Sequence, residues 1–479
     1  MTSAHALEHE DQPRLLAVIA SYGERNVELL KSIIADYRAM ALDVHIVVLS
    51  NVPKDLGPDV EVAVGLPSEN PWSLPFAHKA VFARDVDQYD LFAYSEDDMA
   101  VTERNIRAFM RASEELAPDE IAGFLRYEVD ASGAWSLPDV HGGYRWRPES
   151  ARRRGSHTIA EFTNEHAAFF LLTQAQLRAM VAADGFVREP YEGRYDMLCT
   201  AATDPYTSYG MRKVICVSEI DDFLIHHRSN RYAGKVGVSL ATLRDQIRAL
   251  MDVADGRRPA STPFAAESRW PHSAWAKNLY EQPSADVLAM VPRDARTILS
   301  VGCGWGATEA QLLARHAAVT VIPIDAIVGA VASDRGLDVA CGSFDECVAR
   351  LGNRTFDCVI INDLLHLLPD PRQLVEHCSR FVRAGGTLVA GGPNFGSLRV
   401  LAKRALNRGG YRKLRSFHDG GINAVGPSTL KRYLKTSGLE VAAVRWPNAP
   451  PIPEIEGKLG RWGAAAWVLQ ARRQTGYRA

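Results

Sequence analysis

The sequence predicts two α/β domains in tandem, each built on a mostly parallel sheet. Short apolar runs alternate with helical patterns from Leu15 onward, the alternation breaks down between Asp252 and Trp275, and it restarts at Thr297. At 479 residues the chain is also too long for one ordinary core, since a domain typically holds ~100–200 residues. The domains are expected over 14–250 and 277–475, with a linker over 251–276. That linker contains Gly256-Arg257-Arg258-Pro259-Ala260-Ser261-Thr262-Pro263, which has no periodicity and is rich in helix breakers.

The first domain opens with the apolar run Leu15 to Ala20, the helical pattern Val27 to Met40 and a second apolar run, Val44 to Leu49. Strand, helix, strand is the start of a parallel sheet. A further strand, Leu91-Phe92-Ala93-Tyr94, runs into Ser95-Glu96-Asp97-Asp98, and a helix is expected over Glu103 to Leu116. In the second domain the expected strands are Thr297 to Val301, Val319 to Ile324, Phe356 to Asn362 and Gly386 to Ala390.

The acids 96–98 therefore stand at the carboxyl end of a sheet strand, where α/β folds bind ligands. One reading is a solvated turn. The other is that Glu96-x-Asp98 holds a hard divalent cation which in turn grips a pyrophosphate. Together with Leu74-Pro75-Phe76-Ala77-His78-Lys79, the segment from Arg14 to Leu250 resembles the GT-A glycosyltransferases of exostosin-like type. The resemblance implies a Rossmann-like GT-A domain, a nucleotide-sugar donor, a glycan or lipid-linked glycan acceptor and Mn²⁺ or Mg²⁺. It assigns the nucleotide to the turn from Ser21 through Tyr22 to Arg25, and the metal to Glu96, Asp98 and one of His226 and His227, imidazole being a good ligand for such ions. It also implies a carboxylate on the acceptor side. Glu192 and Asp196 are the nearest matches, the family's Glu-Asp dipeptide is not intact, and Asp204 and Asp221-Asp222 compete. Such a group either deprotonates the acceptor or stabilises an oxocarbenium-like centre, and both outcomes stay open. The segment Glu161 to His166 is read either as part of an acceptor pocket or as the entry to the next element.

In the second domain, Gly302, Gly304 and Gly306 follow the first strand and let the backbone turn sharply beside a ligand. With Ala307 they also satisfy a dinucleotide-binding pattern, so the turn alone does not decide. The downstream order does. Phe356 to Pro371, followed by Arg383-Ala384-Gly385-Gly386-Thr387-Leu388, closely resembles the fourth and fifth strand region of class I methyltransferases, over roughly 200 residues. The resemblance implies a Rossmann-like methyltransferase fold and S-adenosyl-L-methionine as cofactor, held at the glycine turn and Asn362. It is accompanied by departures: Ser300 stands where an acid normally precedes the turn, Pro323 where an acid closes the second strand, and Ser343 where an acid lies near the adenine. Asp325 is expected to stand in on the ribose, with Asp345 close to Ser343. Methyl transfer to a hydroxyl needs alignment and a base; His366 is the first candidate, beside the readings of a packed structural histidine and of His418 and Asp419.

The formal net charge of −2 excludes a global basic field for nucleic acid. Seven scattered cysteines without a CxxC pair point to reduced thiols. With neither a membrane-length apolar run nor a signal peptide in Met1 to Pro13, a cytoplasmic location is expected. Arg399 to Arg415 is basic without one acid. It reads as a solvated helix or as a contact with the inner membrane face or a lipid-linked glycan. Richness in Ala, Arg and Gly hints at a high-GC bacterial source. The combined expectation is a bifunctional glycosyltransferase and methyltransferase in glycan or polysaccharide biosynthesis. The rivals are a glycosyltransferase with a non-catalytic second domain, and a nucleotidyltransferase joined to a methyltransferase. Oligomeric state is not legible.

Overall fold

In the computed structural model, residues 12–475 are described apart from 184, 271–273, 407–410, 412–413, 415–416 and 448–459. The chain divides into two units, Met1–Val140 with Tyr144–Leu243, and His141–Gly143 with Arg244–Ala479.

In the first unit β1 (Arg14–Ser21) is buried from Leu15 on, as an uninterrupted apolar run requires of a strand covered on both faces. Then follow α1 (Val27–Arg38), β2 (Asp43–Ser50), β3 (Val60–Val64), α2 (His78–Asp85), β4 (Leu91–Glu96), β5 (Met99–Ala100) and α3 (Glu103–Glu115). Thr102 starts α3 with a capping box closed by Asn105. Shorter strands come next: β6 (Glu120–Ala122), β7 (Leu125–Val129), β8 (Trp135–Leu137), β9 (Arg152–Arg154), β10 (His157–Ala160) and β11 (Phe169–Thr173). The unit ends with α4 (Gln174–Ala182), α5 (Met197–Thr207), β12 (Arg212–Cys216), β13 (Leu224–His227) and β14 (Val238–Ser239), and α6 (Leu240–Ala254) contains the division.

Its main sheet has the order β11-β4-β1-β2-β3, parallel except where β11 runs against β4. A second sheet, β14-β8-β7-β13-β5, places His227 opposite Met99, directly after the acids that leave β4. A third, β6-β12-β10-β9, surrounds the buried Glu120, which accepts hydrogen bonds from Arg152 (2.5 Å) and Arg154 (3.0 Å).

The second unit holds α7 (Ala285–Met290), β15 (Thr297–Cys303), α8 (Ala307–Leu313), β16 (Ala318–Pro323), α9 (Ala326–Asp334), β17 (Asp338–Val339), α10 (Phe344–Leu351) and β18 (Phe356–Asn362). It continues with α11 (Pro371–Arg380), β19 (Val382–Pro393), α12 (Leu398–Ala405), α13 (Phe417–Gly420), α14 (Pro427–Thr436), β20 (Leu439–Arg445) and β21 (Ala466–Arg473). The sheet order is β17-β16-β15-β18-β19-β21-β20, with β21 antiparallel to both neighbours and every other pair parallel. Its core is apolar residues from strands and flanking helices, among them Val287, Ile298, Val321, Ile360, Val389 and Val468.

The stretch expected as a linker differs from that expectation. Residues 251–254 belong to α6, and the backbone after them is irregular and laid onto the second unit. Phe264, Ala266 and Trp270 are buried there, Trp270 against Leu414 and Ile422. The segment lacks periodicity because it forms no helix or strand, yet its aromatic residues anchor it, and side-chain burial does not require a periodic backbone.

Candidate active sites

In the first unit, β4 ends at Glu96 and the turn to β5 presents Asp97 and Asp98. The three acids have three different fates. Asp97 accepts from Ser21 Oγ and Asn26 Nδ2, both at 2.7 Å, and so ties the turn to β1 and to the start of α1. Asp98 accepts from His227 Nε2 at 2.9 Å, while its Oδ1 is buried without a hydrogen-bond partner. Glu96 lies beside it; burial, then the charge of Asp98, push its carboxyl up to about 7 against the pull of Arg126 and His227. The acids are thus neighbours whose charge is not fully matched.

His227 also donates from Nδ1 to Glu128 at 2.5 Å. Burial would lower its pKa, but Asp98 and Glu128 outweigh that and raise it. Both ring nitrogens of His227 are thus engaged by carboxylates, Nε2 by Asp98 and Nδ1 by Glu128. His226 is turned away, its ring stacked on Tyr127 at 4.8 Å and its Nε2 3.1 Å from Asn230 Oδ1. Adjacent residues on a strand face opposite sides, so only one of a His-His pair meets the acids. Of the two histidines offered beside Glu96 and Asp98, His227 is the one that meets the acids and His226 is not. Among the described residues no group of three or more His, Cys, Asp or Glu side chains is arranged to hold a metal ion.

Around the expected donor turn, Ser21 is engaged by Asp97, and Lys54 Nζ holds the carbonyls of Ser21 (3.1 Å) and Gly23 (2.5 Å). Tyr22 and Arg25 are exposed. On the other side, Asp196 caps α5 by accepting from Cys199 N at 2.9 Å, and Glu192 is exposed in the irregular stretch before it. Asp204 is a structural residue: it is fully buried and paired with Lys79, Arg188, Tyr191 and Ser208. Sequence reasoning missed Arg126 and Asp139, and reached Glu165 only within the segment Glu161 to His166. Arg126 pairs with the buried Asp139 at 2.6 Å, and Glu165 accepts from Arg194 (2.9 Å) and Tyr195. No local pattern marks Arg126 and Asp139, because they meet only when β7 and β8 pair and their spacing matches no motif. A separate cleft of about 610 Å³ lies past the ends of β2 and β3, lined by Leu49, Val64, Leu66, Phe76, Lys79 and Arg188.

In the second unit the glycine turn leaves β15 and enters α8. Gly306 takes φ +79° at the N-cap, and a side chain on Gly304 would meet the Leu279 carbonyl at 2.3 Å. The close approach that Gly304 permits is thus to the chain's own segment before α7, where Trp305 N donates to Leu279 O at 2.9 Å. Ser300, which stands where an acid normally precedes the turn, donates from Oγ to the buried Glu309 at 2.7 Å. Lys277, also buried, donates to Asn362 O at 2.8 Å. Burial pushes the nearby Glu281 carboxyl up to about 7, Lys277 opposing and Asp363 and Glu309 adding. These groups enclose a small cavity of about 10 Å³, and a larger one of about 340 Å³ opens over the ends of β18 and β19, lined by Glu281, Asn362, Asp363, Gly392 and Trp467 among others.

Asp325 is placed otherwise than expected. It is fully buried and caps α9, its Oδ1 accepting from Ile327 N and Val328 N at 2.9 Å each. The carbonyl of Ser261 accepts from the next amide, Ala326 N, at 2.9 Å, and Ser261 Oγ accepts from Gly342 N at 3.3 Å. The segment expected as a linker thus crosses the carboxyl edge of β16 and β17, with Phe264 packed on Phe344. Ser343 in turn caps α10 with Glu346. His366 is buried, its Nε2 2.8 Å from the Trp275 carbonyl and its Nδ1 4.0 Å from Asp363. Burial lowers its pKa, so it is neutral at pH 7. A carbonyl only accepts, so Nε2 carries the proton and Nδ1 the lone pair.

Comparison with known proteins bears on this second unit. Residues 299–390 match the model of a methyltransferase domain family, which identifies a Rossmann-like methyltransferase fold there. An uncharacterized methyltransferase of Mycobacterium tuberculosis is 35% identical over 116 residues, 24% of this chain and 58% of that protein. The ubiquinone biosynthesis O-methyltransferase of Aromatoleum aromaticum is 28% identical over 168 residues, 33% of this chain and 70% of that one. A SAM-dependent methyltransferase structure from Archaeoglobus fulgidus superposes with a TM-score of 0.31 at 16% identity, over 39% of this chain and 90% of that one. The chain thus spans a little over half the length of the first of these relatives.

Proposed function

We propose that the second unit transfers a methyl group from S-adenosyl-L-methionine, and that the first transfers a sugar from a nucleotide-sugar donor with the help of a divalent cation, Mn²⁺ or Mg²⁺, the two acting on one glycan or its precursor. The observation that supports methyl transfer is the glycine turn at the end of β15, with Glu309 beneath it and a cavity across the ends of β18 and β19, inside the matched domain. Bound there, S-adenosyl-L-methionine supplies an electrophilic methyl group. Glu309, Glu281 and Asn362, which line the small cavity under the turn, would hold the cofactor there. His366 Nδ1, behind Gly392 and Asp363, takes the proton of an acceptor hydroxyl seated over Gly392.

For sugar transfer the supporting observation is the buried, unpartnered Oδ1 of Asp98 beside Glu96. These two carboxylates would hold the cation, which neutralises a pyrophosphate. Tyr22 and Arg25 face the donor side, and Asp196 and Glu192 the acceptor side. A second reading, in which the methyltransferase domain is a scaffold, is favoured by one feature: Asp325 caps a helix and Ser261 covers the edge where a nucleoside would rest.

Melting of the full chain with millimolar S-adenosylhomocysteine, and with UDP or GDP in the presence and absence of Mn²⁺, separates these readings. The expected result is a stabilised transition with S-adenosylhomocysteine and a different one stabilised by nucleotide only when Mn²⁺ is present. No shift with S-adenosylhomocysteine leaves the scaffold reading; no Mn²⁺-dependent shift removes the sugar-transfer reading. Release of inorganic pyrophosphate in place of a nucleoside diphosphate would mark a nucleotidyltransferase.

A further inference from the structure

Helix α12 presents its apolar face outward. Leu398, Leu401 and the C-cap residue Leu406 are 60%, 37% and 64% exposed, and α12 has no buried residue. With Ala402 and Ala405, also exposed, these leucines form one stripe, since residues three, four and seven apart share a helix face. The opposite side holds the helix down: Val400 packs on the buried cluster of Trp270, Leu414 and Ile422. Arg399 lies at one margin of the leucine stripe, with Lys403 farther round on the same flank, and Arg404 flanks the other side. Lys403 is braced over the Tyr411 ring at 5.0 Å. A water-facing surface helix normally shows the reverse pattern, with its apolar stripe toward the core.

The charge of this part of the sequence has one sign. From Asn394 to His418 the sequence has Arg399, Lys403, Arg404, Arg408, Arg412, Lys413 and Arg415 and not one acid. An apolar stripe rimmed by long cationic side chains matches the boundary of an anionic bilayer, where leucines enter the acyl region and Lys or Arg stems lie along it with their charges among the headgroups. No helix among the described residues is long and apolar enough to cross a membrane, so the contact is one of surface docking.

We propose that α12 seats the second unit on an anionic lipid surface, with Leu398, Leu401 and Leu406 inserted and the basic residues on the headgroup phosphates. This rests on the helix alone and is independent of either transfer activity. Its test is flotation of the full chain with vesicles of phosphatidylcholine, with and without phosphatidylglycerol. Partition is expected to be at least roughly tenfold stronger with phosphatidylglycerol and to fall as NaCl rises to about 0.5 M. Leu398→Ser with Leu401→Ser should weaken it at both salt levels by roughly tenfold, and Arg399→Glu with Arg404→Glu by a similar factor only at low salt. These exposed positions leave the melting temperature unchanged. Equal partition onto both vesicle types, or serine variants that bind like the unaltered protein, would overturn the proposal. So would a wild-type chain that ignores vesicles, even one that captures an acidic protein through the same helix.

Discussion

Strand β4 ends in Glu96 with Asp98 just beyond, strand β16 runs on to Asp325, and the two ends surround their carboxylates with different donors. Past β4 the chain turns directly into another strand, so no row of helix amides waits for the acids. Asp98 keeps one oxygen buried and unpartnered, and Glu96 is pushed up to about 7. Past β16 the chain enters α9 at once, and Asp325 stands at the N-cap, where it accepts from two amides. A helix start offers up to four unsatisfied donors, and a carboxylate placed there becomes part of the fold. In this chain the acids in the turn after β4 meet only side-chain donors, whereas Asp325 at the start of α9 meets two helix amides.

Three substitutions break or sharpen that contrast. The largest effect is expected at the open end: Asp98→Asn should lower Mn²⁺-dependent turnover of a nucleotide sugar by about a thousandfold or more, the scale of several kcal/mol of lost charge stabilisation, while the melting temperature holds. Unchanged turnover would return Asp98 to a purely structural role. Next is Glu309→Gln, which removes the acid that accepts from Ser300. Calorimetry with S-adenosylhomocysteine should show affinity down about ten- to a hundredfold, equivalent to a charge-assisted contact of ~1.5–3 kcal/mol. If affinity stays within twofold, Glu309 serves only to hold Ser300. The smallest effect belongs to the capped end. Asp325→Ala should cost about 1–2 kcal/mol of stability, the usual loss of an N-cap, with S-adenosylhomocysteine affinity unchanged; a tenfold loss of affinity instead would show the carboxylate reaching the ribose and would abolish the contrast.

Much of the architecture is legible in the sequence, because uninterrupted apolar runs such as Leu15 to Ala20 and Phe356 to Asn362 leave little choice but buried strands. The glycines at 302, 304 and 306 are legible as a turn, but the group that the turn approaches is not: Gly304 meets Leu279, whose position depends on a segment with no periodicity. Which of His226 and His227 meets the acids is not legible in one dimension and is decided once the pair lies in a strand and its side chains take opposite faces. Ser300 and Glu309 stand nine residues apart across a turn, so their hydrogen bond shows only when α8 folds back on β15. For the same reason Arg126 with Asp139 leaves no trace in spacing. The irregular segment after α6 carries Trp270 and Trp275, which signal burial where the breaker-rich run signals a tether, and burial prevails.

That segment has a kinetic consequence. Ser261 bonds the Ala326 and Gly342 amides at the edge of β16 and β17, so a nucleoside docking at that edge would have to compete with two hydrogen bonds and with the packing of Phe264 on Phe344. If opening precedes docking, the observed association rate would level off with rising ligand concentration at the rate of opening.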